Sequence, residues 1–222
     1  MSEALQQMGE TVERVLVPRL IAVAVGKPSL LGQNRQGDVI SGIRKTFISG
    51  DAIAIGTLNI DGDGQADLQN HGGVDKAIYC YPADHAAYWR DKLGYGGDGT
   101  HAPFGENLST LGVTEEDVCI GDIWRWGTAV LQVSQPRWPC YKLVMLSGHH
   151  DMIKRFVASG RSGWYLRVLE PGIAPIDGPI EVAVRDPLEI SVHLAFAVKT
   201  NGDDEALAKV IAHPLLADAW RR

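Results

Sequence analysis

The chain reads as a mainly β protein with helical inserts, an α+β chain in which a distorted β-barrel is followed by a small C-terminal three-helix appendage. Three observations predict this. Short apolar runs rich in Val and Ile recur from Arg19 onward, and Gly, Asp or Pro punctuates nearly every gap between them, the rhythm of a β-rich barrel. Two stretches of helical spacing interrupt those runs as inserts. From Ser191 onward the spacing becomes helical throughout. The resulting division is residues 1–17, 18–186 and 187–222.

Residues 1–17 set Leu5, Met8, Val12 and Val15 among Glu3, Glu10, Glu13 and Arg14, which predicts a helical extension without the apolar core of a secretory signal. Arg19 to Val25 is a buried strand ended by Gly26-Lys27-Pro28. Further strands are expected at Val39 to Phe47, Ala52 to Ile55, Ala77 to Tyr81, Asp122 to Trp126, Ala129 to Ser134 and Pro179 to Val184. Gly127-Thr128 suits a tight hairpin. Helical inserts are expected at Pro82 to Leu93 and at Asp151 to Ala158, the second closed by Gly160. The appendage comprises Ser191 to Val198, Asp204 to Ala212 and Leu215 to Trp220, with Pro214 placed to open the last.

At 222 residues with 45% hydrophobic side chains, the chain can bury a sizeable core. Its 21 basic and 27 acidic residues give a net charge of -6, with no basic concentration of the kind a nucleic acid polymer requires. No uncharged apolar run approaches the roughly 20 residues of a membrane span. The three cysteines, Cys80, Cys119 and Cys140, have neither disulfide-scaffold nor zinc spacing, so a reducing cytoplasm suits them.

Cys140 stands apart. Pro136 and Pro139 each fix a φ angle and remove a backbone donor, which holds the thiol in a rigid loop at the exit of a strand. Arg137 and Lys142 flank it with positive charge, which favours the thiolate that attacks electrophiles and binds soft metals. The preceding hairpin delivers the chain to this thiol.

Four other segments carry weaker signals. Asp61-Gly62-Asp63-Gly64-Gln65-Ala66-Asp67 superficially matches a calcium loop but has Ala66 where glycine is needed and Gly72 where the bidentate Glu belongs, so a polar turn is expected. In Asn70-His71-Gly72-Gly73-Val74-Asp75-Lys76 the paired glycines and Lys76 could cradle a phosphate or form an ordinary turn. Phe104 to Thr110 reads as a loop, either reading a polar heterocycle or simply capping a turn. His149, His150 and Asp151 suit a helix start better than a metal triad, and Trp164 suits core packing.

Together these segments resemble the MOSC superfamily, named for the C-terminal domain of molybdenum-cofactor sulfurases, and within it the bacterial YiiM-like members. Four ordered blocks carry the match: Gly62-Asp63-Gly64 through His71-Gly72-Gly73 to Tyr81-Pro82; Phe104-Gly105-Glu106-Asn107-Leu108; Gly121-Asp122 to Trp126-Gly127; and Ser134-Gln135-Pro136-Arg137 to Cys140-Tyr141-Lys142-Leu143. They span most of residues 18–186, and the C-terminal helices resemble the three-helix domain of the same subgroup. The resemblance implies a distorted barrel that binds molybdopterin, with Cys140 supplying the protein sulfur to molybdenum. Candidates for the cofactor's phosphate are Lys27, His71, Gly72, Gly73, Lys76 and Arg137; Asn107 and Ser134 are candidates for pterin hydrogen bonds. The implied activity is reduction of an N-hydroxylated base or related compound to the amine, with His71 as a candidate proton donor because histidine titrates near neutrality. No flavin or nicotinamide fingerprint is present, so electrons are expected from a separate flavoprotein reductase. Rival readings are a cofactor carrier, a persulfide sulfur-transfer domain on Cys140 and, last, a structural barrel adaptor.

Overall fold

The computed structural model describes residues 17–68, 72–96 and 98–222. The helix expected over residues 1–17 falls almost wholly outside the described residues, as does His71. Strand β1 (Arg19–Val25) has the predicted bounds and buries Leu20, Val23 and Ala24. The hairpin of β2 (Ser29–Asn34) and β3 (Gly37–Ser41) follows, and β4 (Thr46–Phe47) pairs with β1. The single strand expected from Val39 to Phe47 is thus broken. The break falls at Gly42, where a Cβ would stand 2.4 Å from the Gly64 carbonyl oxygen, so the backbone there is committed to a close approach. β5 (Ala52–Ile55) also has the predicted bounds.

β6 (Ile78–Pro82) leads through one helical turn into α1 (Ala86–Leu93). β7 (Leu108–Leu111) begins inside the segment expected to be a loop, because Leu108, Ser109 and Thr110 pair in parallel with Cys80, Tyr81 and Pro82. β8 (Ile123–Trp126) and β9 (Ala129–Pro136) form the expected two-residue hairpin, with Gly127 at φ 60. β9 outruns its predicted end, since Pro136 still pairs with Trp164 beside a bulge, a position where a strand tolerates proline. α2 (Tyr141–Ser147) has no counterpart among the predicted elements, whereas α3 (Met152–Ser159) lies between Asp151 and Gly160 as expected. β10 (Trp164–Glu170), β11 (Gly172–Pro175), β12 (Gly178–Pro179) and β13 (Glu181–Val184) complete the strands, with β11 paired to β5.

The main sheet runs β12-β1-β7-β6-β10-β9-β8-β13 and curls into a half-barrel, mixed in sense because β6 and β7 are parallel. Its interior holds Trp124, Trp126, Trp164, Leu20 and Val133, all fully buried. Helices α4 (Val192–Asn201), α5 (Asp204–Ile211) and α6 (Asp218–Arg221) add Val192, Phe196, Val210 and Trp220 to that same apolar cluster. Ser191 and Asp203 cap α4 and α5 by accepting from Leu194 N and Ala206 N. The last helix begins later than expected: Leu215 N is taken by His213 Nδ1 and Ala217 N by the Ser134 carbonyl, which docks the segment after Pro214 on β9 instead of winding it. Among the described residues no helix is long and apolar enough to cross a membrane.

Candidate functional site: a thiol in a basic cleft

One open cleft gathers Ser41, Gly42, Ile43 and Lys45, residues 63–67, Lys76, Ala77 and Tyr79, Gly105 and Asn107, and Arg137, Trp138, Cys140, Lys142 and Tyr165. The elements around it explain its shape: the chain break after β3, the loop before β6, the start of β7 and the proline-braced segment leaving β9 all converge here.

Asp63 anchors the floor. Its Oδ1 accepts from Lys45 Nζ at 2.5 Å and from Gly26 N at 2.8 Å, and its Oδ2 accepts from Asn107 Nδ2 at 2.9 Å. Lys45 is 7% exposed, and burial lowers its pKa although Asp63 pulls the other way. Asn107 lines the cleft, but its amide is spent on the scaffold. Nδ2 also reaches the Ala24 carbonyl, and Oδ1 accepts from Tyr79 N, so this side chain ties β1 to β6. Pterin recognition by Asn107 therefore has little left to work with.

Arg137 is 4% exposed, its guanidinium carbon 4.7 Å from the Tyr79 ring centroid and 5.5 Å from that of Phe156. Burial works against its charge, yet the nearby Tyr79, Tyr165 and Cys140 side chains outweigh burial and hold it above its ordinary value. Its NH1 donates to the Tyr79 hydroxyl at 3.3 Å. Arg137 is hydrogen-bonded to Tyr165 as well, so the guanidinium is held between two tyrosines on the cleft wall.

Cys140 is half-buried on the wall of the cleft and opens α2. Arg137 and Lys76 both lie close enough to interact electrostatically with it. Cys80 and Cys119 differ: both are buried, and burial pushes the Cys119 thiol up to about 11 and that of Cys80 higher still. They are packing residues.

The remaining predicted residues fall in different places. Lys76 lines the cleft, half-buried, with its pKa lowered by burial. Lys27 is exposed and its backbone lies beside Gly64, at the rim. Gly72 and Gly73 do not line the cleft; they make room for Gln65. A Cβ on Gly72 would meet Gln65 Oε1 at 2.3 Å, and Gly73 N donates to that oxygen at 2.7 Å, so the Gly73 amide is engaged by Gln65. Ser134 is fully buried behind the wall, its hydroxyl 2.6 Å from the Asp75 carbonyl. It fastens the turn Val74–Lys76 that carries Lys76 to the cleft, and so acts through Lys76. Lys45, Asp63, Tyr79, Tyr165 and Trp138 also line the cleft without having been singled out in the sequence, although Asp63, Tyr79 and Trp138 lie within its motif blocks.

Beneath the cleft, Glu106 is 2% exposed and accepts from Phe104 N at 2.9 Å. Burial raises its pKa from 4.5. The folded state therefore keeps a proton that the unfolded chain has already released, and the stability Glu106 contributes below that ordinary value is lost as pH rises through the raised one. Glu106→Gln removes this loss. Urea titrations of both proteins are expected to show the variant gaining stability relative to the parent as pH rises above the ordinary glutamate value; a constant difference would contradict the assignment.

The curled β-sheet thus presents one half-buried thiol, Cys140, in a cleft lined by Lys45, Lys76, Arg137 and Lys142. The chain belongs to the MOSC domain family, which residues 67–189 match; MOSC domains are associated with the molybdenum cofactor in general. It is 39% identical over 206 residues to YflK of Bacillus subtilis, covering 91% of this chain and 90% of that protein. The crystal structure of YiiM from Geobacillus stearothermophilus superposes with a TM-score of 0.75 at 33% identity, covering 92% of this chain and 95% of that one. A Gibberella moniliformis protein named as a reductase is 35% identical over 173 residues, 70% of this chain but 29% of its own length.

Proposed function

We propose that this protein holds a molybdenum–pterin cofactor in the cleft through Cys140 and reduces N-hydroxylated bases or related N-hydroxylated compounds to the amine. The observation that carries the reading is the half-buried Cys140 facing a cleft lined by Lys45, Lys76, Arg137 and Lys142. Among the described residues no group of His, Cys, Asp or Glu could hold a metal ion unaided. One soft donor beside a cation-lined pocket suits instead a metal that arrives with its other ligands and an anionic tail. When bound, the cofactor would supply two-electron redox chemistry and an acceptor for oxygen.

The chain's own part is positional and electrostatic. Cys140 supplies the protein sulfur from a loop whose prolines limit reorganisation. Arg137 and Lys76 are the cations proposed to meet the phosphate. The balanced change is R–NHOH plus two electrons and two protons giving R–NH₂ and water. A separate flavoprotein reductase is the proposed electron source, and His71, next to Gly72 but outside the described residues, the proposed proton donor. The family match and the reductase-named relative support an oxidoreductase.

The test is to purify the protein from cells that make the cofactor, measure molybdenum, and assay an N-hydroxylated purine with a chemical electron donor. Bound metal with turnover is expected. Bound metal without turnover would instead favour a carrier, and no metal would remove the cofactor reading.

A further inference from the structure

We infer that Trp138 is a stacking platform for a planar heteroaromatic substrate at the solvent end of the cleft, held in place by the C-terminal helices. The inference rests on the reading above and names the substrate class it favours. The chain has six tryptophans, and Trp89, Trp124, Trp126, Trp164 and Trp220 are at most 3% exposed. Trp138 is 44% exposed, although it lines the cleft two residues before Cys140.

That exposure is not looseness. The Trp138 ring centroid lies 5.2 Å from that of Phe196 on α4 and 6.0 Å from that of Trp220 on α6, two rings that are themselves 1% and 3% exposed. Lys199 Nζ stands 4.8 Å over the Trp220 ring and adds a cation–π contact to the cluster. Pro139 fixes the backbone immediately after Trp138. A large aromatic surface is thus oriented before any ligand arrives, which lowers the ordering cost of binding.

Position decides between cofactor and substrate. Asn107, Arg137, Lys45 and Lys142 are only 3%, 4%, 7% and 7% exposed and Lys76 is half-buried, so most of the cationic lining lies deeper in the cleft than Trp138, where the cofactor's anionic portion would fit. Trp138 is at the open end, where the last component to enter would meet it. Stacking on an aromatic side chain suits every nucleobase because each has a π face, and it changes affinity by about tenfold or more. An aliphatic hydroxylamine has no such face and gains nothing there.

The experiment is calorimetric binding of an N-hydroxylated purine and of an alkyl hydroxylamine to the cofactor-loaded parent, Trp138→Phe and Trp138→Leu, with molybdenum measured in each. Leucine preserves apolar contact with Phe196 and Trp220 without the π face, so its fold is expected to survive. The purine should bind about tenfold more weakly to Trp138→Leu and within about threefold of the parent to Trp138→Phe. The alkyl compound and the metal content should not change. Unchanged purine affinity in Trp138→Leu, equal weakening of both ligands, loss of metal, or no purine binding by the parent overturns the inference. Purine binding without reduction by the parent, sensitive to Trp138→Leu, would defeat the proposed activity while leaving the platform standing.

Discussion

Replacement of Cys140 by alanine is expected to lower turnover of an N-hydroxylated substrate by more than about 100-fold while leaving the fold intact. Removing even an outer partner of a metal ligand typically costs 10–100-fold, and Cys140 is proposed as the ligand itself. The structural cost should be small. Cys140 is half-buried at the start of α2, outside the apolar clusters of the sheet, so deleting its sulfur is expected to change stability by no more than about 1 kcal/mol. Circular dichroism and urea unfolding establish the second half of this prediction, and steady-state assays the first. Alanine at Cys80 or Cys119, both buried away from the cleft, should show the reverse pattern, some loss of stability with turnover retained.

Asp63→Ala is expected to be the most destabilising change at the site, by about 3–5 kcal/mol, because it strands a buried cation. Three donors lose their acceptor at once: the Lys45 ammonium, Gly26 N and Asn107 Nδ2. Lys45 is already disfavoured in its charged form by burial, and Asp63 is the largest influence opposing that, so the ammonium would be left to burial alone. For a chain of 222 residues such a loss corresponds to a fall of about 10 °C in melting temperature. The double change Asp63→Leu with Lys45→Met, which deletes both charges, should recover part of the stability, and scanning calorimetry of the three proteins measures it. A melting point for Asp63→Ala within about 2 °C of the parent would show that the pair anchors nothing.

The parts of the fold legible in the sequence were those written in local patterns. β1 and β5 are short apolar runs with turn residues at both ends, and α3 has Asp151 and Gly160 at its limits. β7 was hidden because Leu108, Ser109 and Thr110 look like a polar loop until Cys80, Tyr81 and Pro82 pair with them in parallel, which depends on residues far away in the chain. α2 was hidden because its cap is Cys140, a residue that carries no helix-start signal, directly after Pro139. The site divides in the same way. Cys140 and Arg137 announce themselves by proline spacing and flanking charge. Lys45 and Asp63, eighteen residues apart, meet only because the chain breaks at Gly42 against Gly64, and neither sits in a pattern that marks it as buried. Asn107 and Ser134 were legible as important, but their hydrogen bonds to strands and to a turn depend on residues distant in the chain and could not be read locally.

The account stands or falls on whether the Cys140 sulfur is bound to molybdenum. X-ray absorption at the molybdenum edge, on parent protein and on a Cys140→Ser variant purified alike, counts the sulfur neighbours of the metal directly. The expected result is one sulfur fewer in the variant, or metal lost altogether. An identical sulfur shell at equal metal content in the two proteins would contradict it.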